Sequence, residues 1–358
     1  MPVPVSELEM ETADLQWLRS HRGTPRYFAC TLQAGAETRS GWIGFRGRYS
    51  RWFRKPSFDL WFDPASPGDD RRKVHLNAGY RDPSLLRGRL ALELFADLGV
   101  PVPRCRHIWL RLNGRDLGVY TEYESLDAGW LSRNGLADGP IYYAVGDQGN
   151  FGLIDPDSGR PKRYMIQGYE KSHPGDDDFS DVEALIRQIT LPDDPEFAAE
   201  IGEVIDVENC LRWLVGVLFT SHTDGLVQNY ALFRPGQGRW LISPWDCDGT
   251  FGRGPGGGRL GADYLPPDHG QENYLVARLL QTPFGRHQFR EIMAEALSGA
   301  LAAGRVVERM ESIYAEIRRE ACADPLKRYS NTTFRRERGL IRAYVEERTR
   351  LIRQALVL

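Results

Sequence analysis

Two polar stretches carry the residues best suited to chemistry: Ser221-His222-Thr223-Asp224-Gly225-Leu226-Val227-Gln228-Asn229-Tyr230, and Pro244-Trp245-Asp246-Cys247-Asp248-Gly249-Thr250-Phe251-Gly252. Asp224 and Asn229 are five positions apart. At that spacing a phosphoryl-transfer loop sets an Asp against the acceptor hydroxyl proton and an Asn against a metal on the phosphates. Residues 229–233 and 239–243 read as short apolar strands about the turn Pro235-Gly236-Gln237-Gly238. Such a hairpin brings Asp224, Asn229, Asp246 and Asp248 to one mouth, where carboxylate and amide oxygens form a hard ligand set for Mg²⁺ or Mn²⁺. Taken singly, each is an ordinary turn residue. The assembled set points to a site.

A second cluster lies far upstream. From Arg39 to Lys55 there are six basic residues and no acidic one, interleaved with Phe45, Tyr49, Trp52 and Phe53. Three readings fit. A basic patch with aromatics binds single-stranded nucleic acid, or a hairpin tip is merely solvated. In the third, adopted here, Gly44 and Gly47 let backbone N–H groups approach an anion that Arg side chains neutralise. Lys55, at the entrance of a strand at 57–62, then reaches nucleotide phosphates as a single ammonium. Glu93, at the edge of a helix stripe, pairs either with Lys55 or with Arg89 at i,i+4.

The elements that must position these residues follow from patterning. Strands are expected at 27–35 and 40–45. A helix is expected from an Asp82 cap with Pro83 in its first turn to about Leu98, stopped before Gly99-Val100-Pro101. A hairpin turns at Asn113-Gly114 between strands at 107–112 and 118–123. A short helix at 127–133 and a strand at 141–145 precede the Gly-, Pro- and Asp-rich stretch 146–178. Helices then dominate: 180–189 with a Ser180 capping box, a strongly apolar 207–219 feeding the Asp224 loop, and amphipathic 272–280, 285–302, 305–321 and 335–356. The glycine-rich 252–258 lacks the Gly-Lys-Ser/Thr ending of a P-loop. This divides the chain into a β-rich lobe (1–125), a connecting segment (126–178) and a helical lobe (179–358).

With 358 residues and a net charge of −3, the composition is that of a globular protein. It calls for neither nucleic acid nor an anionic membrane as partner. No run of about 18 apolar residues and no basic-then-apolar leader is visible. Five scattered cysteines without a Cys-x-x-Cys pair fit a reducing cytoplasm.

The chain resembles the CotH kinase family, named for spore coat protein H. The matching stretches are Arg46-Gly47-x-x-Ser50-Arg51-x-x-x-Lys55-x-Ser57-Phe58, Tyr80-x-Asp82-Pro83-Ser84-x-x-Arg87, Leu112-Asn113-Gly114-x-x-x-Gly118-Val119-Tyr120, Asp224-x4-Asn229-Tyr230 and Pro244-Trp245-Asp246-x-Asp248-Gly249-x-Phe251-Gly252. The resemblance implies an α+β, bilobal atypical protein-kinase-like fold, with ATP and Mg²⁺ or Mn²⁺ between a β-rich N-lobe and a helical C-lobe. It implies transfer of the γ-phosphoryl group to a protein Ser or Thr, with coat-like proteins as acceptors and a spore coat location as an alternative to the cytoplasm. Under it Asp224 is the base or orienting carboxylate, Asn229 and Asp246 hold metal with Asp248 as a second ligand, and Lys55 contacts phosphate. Arg46, Gly47, Ser50 and Arg51 line the nucleotide. Thr223 replaces the Arg of a kinase His-Arg-Asp motif, so no activation-loop phosphate switch is expected. Nucleotidyl (AMP) transfer on the same fold and a non-catalytic coat or surface interaction protein are the competing readings.

Overall fold

The computed structural model describes residues 3–65 and 71–357. The chain divides into two compact units. The first takes in the chain up to Arg89, Pro103–Ser125 and Met310–Gly339; the second takes in Leu90–Val102, Leu126–Arg309 and the chain from Leu340. Residues 126–178, expected as a connection, belong to the second unit, and 310–339, expected in the helical lobe, belong to the first.

In the first unit β1 (Val5–Met10), α1 (Thr12–Ser20), β2 (Phe28–Ala34), β3 (Glu37–Arg46), β4 (Ser57–Phe62) and β5 (Lys73–Asn77) are followed by the start of α2 (Arg87–Asp97) and by β6 (Cys105–Leu112) and β7 (Arg115–Glu124). The strands close into a barrel in the order β1-β2-β3-β4-β5-β7-β6, and β1 meets β6 in parallel. Alternation along the strands puts Leu8, Leu32, Ile43, Leu60, Val74, Leu76, Ile108 and Leu110 inside. Closure leaves no unpaired sheet edge. The β6–β7 hairpin forms as expected: Asn113 (φ 50°) and Gly114 (φ 70°) take the left-handed backbone of a type I′ turn.

The helix expected from Asp82 begins instead at Arg87. Leu85 adopts φ 56°, which no helix interior tolerates. The Asp82 carboxylate accepts from the Ser84 N–H and hydroxyl and, at 3.0 Å, from the Arg87 N–H, so it caps the later start. The Arg87 guanidinium is buried between Asp82 and Glu337, at 2.7 and 2.8 Å.

One buried ion pair ties this unit together. Lys55 Nζ donates to Asp324 Oδ2 at 2.7 Å and to the Val119 carbonyl, over the face of Tyr120. The same Asp324 carboxylate accepts from the N–H groups of Val119, Leu326 and Lys327, each at 2.9 Å. Gly118 (φ 95°) makes the approach possible, since a Cβ there would stand 2.2 Å from the Asp324 carboxyl carbon.

The second unit holds the rest of α2 and then α3 (Ala128–Arg133), β8 (Ile141–Ala144), β9 (Tyr169–His173), α4 (Ser180–Thr190), α5 (Asp194–Val204), α6 (Val207–Thr220), β10 (Tyr230–Phe233), β11 (Leu241–Pro244), α7 (Tyr274–Gln281) and α8 (Pro283–Ser298). Parts of α9 (Ala303–Ala323) and α10 (Asn331–Leu356) belong to each unit. A four-stranded antiparallel sheet runs β11-β10-β8-β9. The apolar helix α6 is its central support, capped by Asp206, whose carboxylate accepts from Asn209 N–H at 3.0 Å. Phe95 packs where a Cβ on Gly216 would be, 2.3 Å from the ring. Ser180 is the first residue of α4 rather than its cap, and the Asp178 carboxylate accepts the Ser180 N–H, so the capping box does not form. All five cysteines are free.

Removing one partner of a fully buried ion pair leaves the other charge without compensation, which costs about 3–5 kcal/mol. Asp324→Ala and Lys55→Ala are each expected to lower unfolding stability by roughly that amount in urea titration. A loss below about 1 kcal/mol, the scale of exposed pairs, would contradict this role.

Candidate functional site

The two polar stretches meet through strand register. In the sheet Tyr230 pairs with Pro244 on one side and Ala144 on the other. One residue earlier, the Asn229 N–H donates to the Ala144 carbonyl (2.9 Å) and the Asn229 carbonyl accepts from Trp245 N–H (2.8 Å). Asn229 therefore sits between the end of β8 and the residue preceding Asp246. Both take backbones that side chains rarely adopt, φ 58° at Asn229 and φ 48° at Asp246, as do Ser221 (49°) and Phe251 (48°) nearby. Left-handed geometry at four non-glycine residues costs of order 1 kcal/mol or more apiece and concentrates at functional loops.

The Asp224 loop is fastened separately. α6 ends at Ser221, whose hydroxyl accepts from Tyr344 Oη at 2.7 Å. A 3₁₀ turn, Thr223–Leu226, follows, and Gln228 N–H closes on the Asp224 carbonyl at 2.9 Å. Buried His222 links the two stretches: its Nε2 lies 3.1 Å from the Trp245 carbonyl, so that nitrogen carries the proton and donates. Gly225 leaves room for this ring, because a Cβ there would come within 2.5 Å of it. Asn273 adds a further bond, donating to the Leu226 carbonyl at 2.7 Å.

Burial raises the Asp224 carboxyl above the usual carboxylate range. Asp147 and Asp246 push the same way, against His222 and a Thr223 hydrogen bond. Desolvation lowers His222, opposed by the Trp245 carbonyl bond and by Asp224 and Asp246, so the imidazole stays neutral. Asp147 is itself raised, by desolvation first and then by Asp157 and Glu272. Sequence reasoning passed over Asp147 and the His222 tie. Asp147 lies three residues past β8, in a loop held by Tyr169 and Tyr230, whose hydroxyls are 3.0 Å apart; Tyr169 Oη also donates to the Gly149 carbonyl at 2.9 Å. Its only signal was an acidic residue at the end of a strand.

In the first unit the Arg46–Arg51 loop uses its side chains on itself. Ser50 Oγ donates to the Arg46 carbonyl (2.7 Å), Arg51 Nε to the Gly47 carbonyl (2.5 Å), and Arg46 Nε approaches Asp59 at 3.4 Å. Gly47 (φ 82°) is needed because a Cβ would meet Ser50 Oγ. One expectation is corrected here. The carboxylate partner of Lys55 is Asp324, not Glu93, and burial leaves its ammonium turned inward. Glu93 accepts from Arg309 at 3.0 Å, and Arg89 pairs with Glu316 at 2.8 Å.

A family model described as CotH kinase protein matches residues 43–352. The chain belongs to the CotH kinase family. It is 35% identical over 315 residues to "Inner spore coat protein H" of Bacillus subtilis (strain 168), covering 88% of this chain and 86% of that protein. A second B. subtilis protein, "Inner spore coat protein H-like protein", is 23% identical over 82% of this chain and 83% of its own length. Among solved structures, the HipA–HipB–operator DNA complex of Shewanella oneidensis MR-1 aligns with a TM-score of 0.43 at 11% identity, over 85% of this chain and 66% of that one. The Helicobacter pylori proinflammatory kinase CtkA aligns at 0.38 and 11%, over 84% and 94%. Neither likeness is close enough to carry an argument.

The carboxylate oxygens of Asp246 and Asp248 and the amide oxygen of Asn229 are hard donors, the type that Mg²⁺ and Mn²⁺ take. Asp246 is exposed and Asn229 and Asp248 are half-buried; among the described residues no three His, Cys, Asp or Glu side chains are grouped to hold a metal. Mg²⁺ is commonly held by one or two carboxylates together with substrate phosphates.

The raised Asp224 carboxyl gives a stability test. Its folded value lies above the unfolded 3.8, so the folded state binds the extra proton and stability falls as pH rises through that window. Asp224→Asn, a neutral mimic, is therefore expected to raise the melting temperature at pH 7, with the gain vanishing below about pH 3.8. A variant less stable than wild type at pH 7 would mean that the carboxylate serves the fold.

Proposed function

We propose that this CotH family member is a bilobal kinase-like enzyme that transfers the γ-phosphoryl group of ATP to a Ser or Thr hydroxyl of a protein, with Mg²⁺ or Mn²⁺. One observation supports the reading most: the Asn229 carbonyl accepts from the N–H of Trp245, the residue before Asp246, with Asn229 and Asp246 both in left-handed backbones, and Asp246 bears on an Asp224 with a raised carboxyl.

When bound, metal–ATP supplies the transferable group and the cation that offsets its charge. Asp246 and Asn229 would hold that cation, with Asp248 as a further oxygen ligand. Asp224 would face the acceptor hydroxyl, and its raised affinity for a proton suits it to orient or accept that proton. His222 stays neutral and fixes the loop to the Trp245 carbonyl, so the carboxylate is positioned without a neighbouring positive charge to blunt its basicity. The 46–51 loop would offer phosphates its backbone N–H groups, because its side chains already shape the turn. Lys55 anchors that loop from inside the barrel unit. The acceptor is a coat-type protein by likeness to the B. subtilis relative, whose name assigns that relative to the inner spore coat.

The test is incubation with γ-labelled ATP, metal and candidate acceptors. Label is expected on a protein Ser or Thr, with Asp224→Asn slowing transfer by about 10²–10⁴-fold, the range for a positioned base, and Asp246→Asn by at least as much. Wild-type transfer by both variants would overturn the assignment. Label arriving from α-labelled ATP instead would mark AMP transfer.

A further inference from the structure

A pocket outside this site, lined wholly by the barrel unit, is ringed by arginines. Arg19 and Arg22 from the end of α1 and just beyond it, Arg54 from the β3–β4 connection and Arg115 from the start of β7 surround a cavity of about 170 Å³. Its floor is apolar, with Leu15, Phe58, Leu112 and Leu117 at the barrel end, and no carboxylate of the described residues lines it. Arg22 is fixed in place: its Nη1 donates to the Arg51 and Phe53 carbonyls at 3.1 and 3.0 Å, and its guanidinium stands 5.6 Å over the Phe45 ring. The side chains of Arg19, Arg54 and Arg115 have no hydrogen-bond or ion-pair partner among the described residues.

Four arginines lining one cavity, in a chain whose net charge is −3, concentrate positive potential there. Guanidinium forks match phosphate oxygens two at a time, and a dianion offsets more of this charge than a carboxylate does. The apolar floor accepts a short aliphatic stem. The volume lies below the roughly 300–1,000 Å³ of sites that enclose drug-sized ligands, so a whole nucleoside triphosphate does not fit. Arg19 and Arg22 also precede the matched family segment, which begins at residue 43.

We propose that this pocket binds a phosphate monoester on a short aliphatic stem, specifically the phosphorylated Ser or Thr side chain of a protein. The anion site stands on the arginine geometry alone; only the choice of a phosphorylated Ser or Thr rests on the kinase reading.

Calorimetry on the full chain without ATP or metal separates the two. The probes are a phosphothreonine peptide, the same peptide unphosphorylated, O-phospho-L-threonine and inorganic phosphate. The phosphopeptide is expected to bind saturably, tighter than the other three, and more weakly as salt rises. Arg54→Ala with Arg115→Ala, both exposed positions, should weaken it about tenfold or more while leaving the melting temperature unchanged. Asp246→Asn should leave binding intact. The proposal is overturned if the phosphopeptide fails to bind, if the double variant binds it as well as wild type, or if ATP displaces it. O-phospho-L-threonine or inorganic phosphate binding as tightly as the peptide would overturn the protein-borne source. Because no transfer reaction is read, a failed kinase assay leaves this result standing, and the reverse.

Discussion

The hydrogen bond from the Trp245 N–H to the Asn229 carbonyl is the constraint on which the candidate centre depends. It extends the β10–β11 ladder one residue beyond its last regular pair and does so with Asn229 and Asp246 in left-handed backbones. A ladder that simply continued would alternate these side chains across the two faces of the sheet. The left-handed backbone at both positions interrupts the regular ladder there. It persists because the surroundings over-determine it: β8 holds Asn229 from the other side, and His222 holds the Trp245 carbonyl.

The electrostatics follow from this crowding. Desolvation is the largest cause of the raised Asp224 carboxyl, and Asp147 and Asp246 lie near enough to add to it. A fold optimised for stability alone would not gather carboxylates beside a neutral buried histidine. The barrel unit shows the opposite economy. Lys55 and Asp324 are paired, desolvated and saturated with hydrogen bonds, which marks them as support for the Gly118 turn and the loop leading into β4.

Sequence patterning was informative where one local signal decided the outcome. Asn113-Gly114 specified its hairpin, and the apolar run of α6 specified a buried helix. It failed where a side chain's partner came from far away. Patterning leaves Glu93 open to Lys55 or to Arg89, whereas Asp324, 269 residues from Lys55, holds the ammonium. Asp82-Pro83 has the composition of a helix start, but Leu85 in a left-handed backbone and the Arg87–Glu337 pair move the start to Arg87. β1 was missed because Ser6 and Leu8 make only a faint alternation, and it becomes a strand by pairing with β2 and β6. Asp147 carries no motif of its own. The β8–β10 register and the Tyr169–Tyr230 contact help bring it near Asp224.

The account is tested most directly by the anomalous scattering of Mn²⁺ in crystals grown with a non-hydrolysable ATP analogue. It predicts a single strong peak within about 2.0–2.3 Å of an Asp246 carboxylate oxygen, at ordinary first-row metal–oxygen distances, with the Asn229 amide oxygen as a second protein ligand. Ordered nucleotide with manganese elsewhere, or no peak near Asp246 and Asn229, would contradict it.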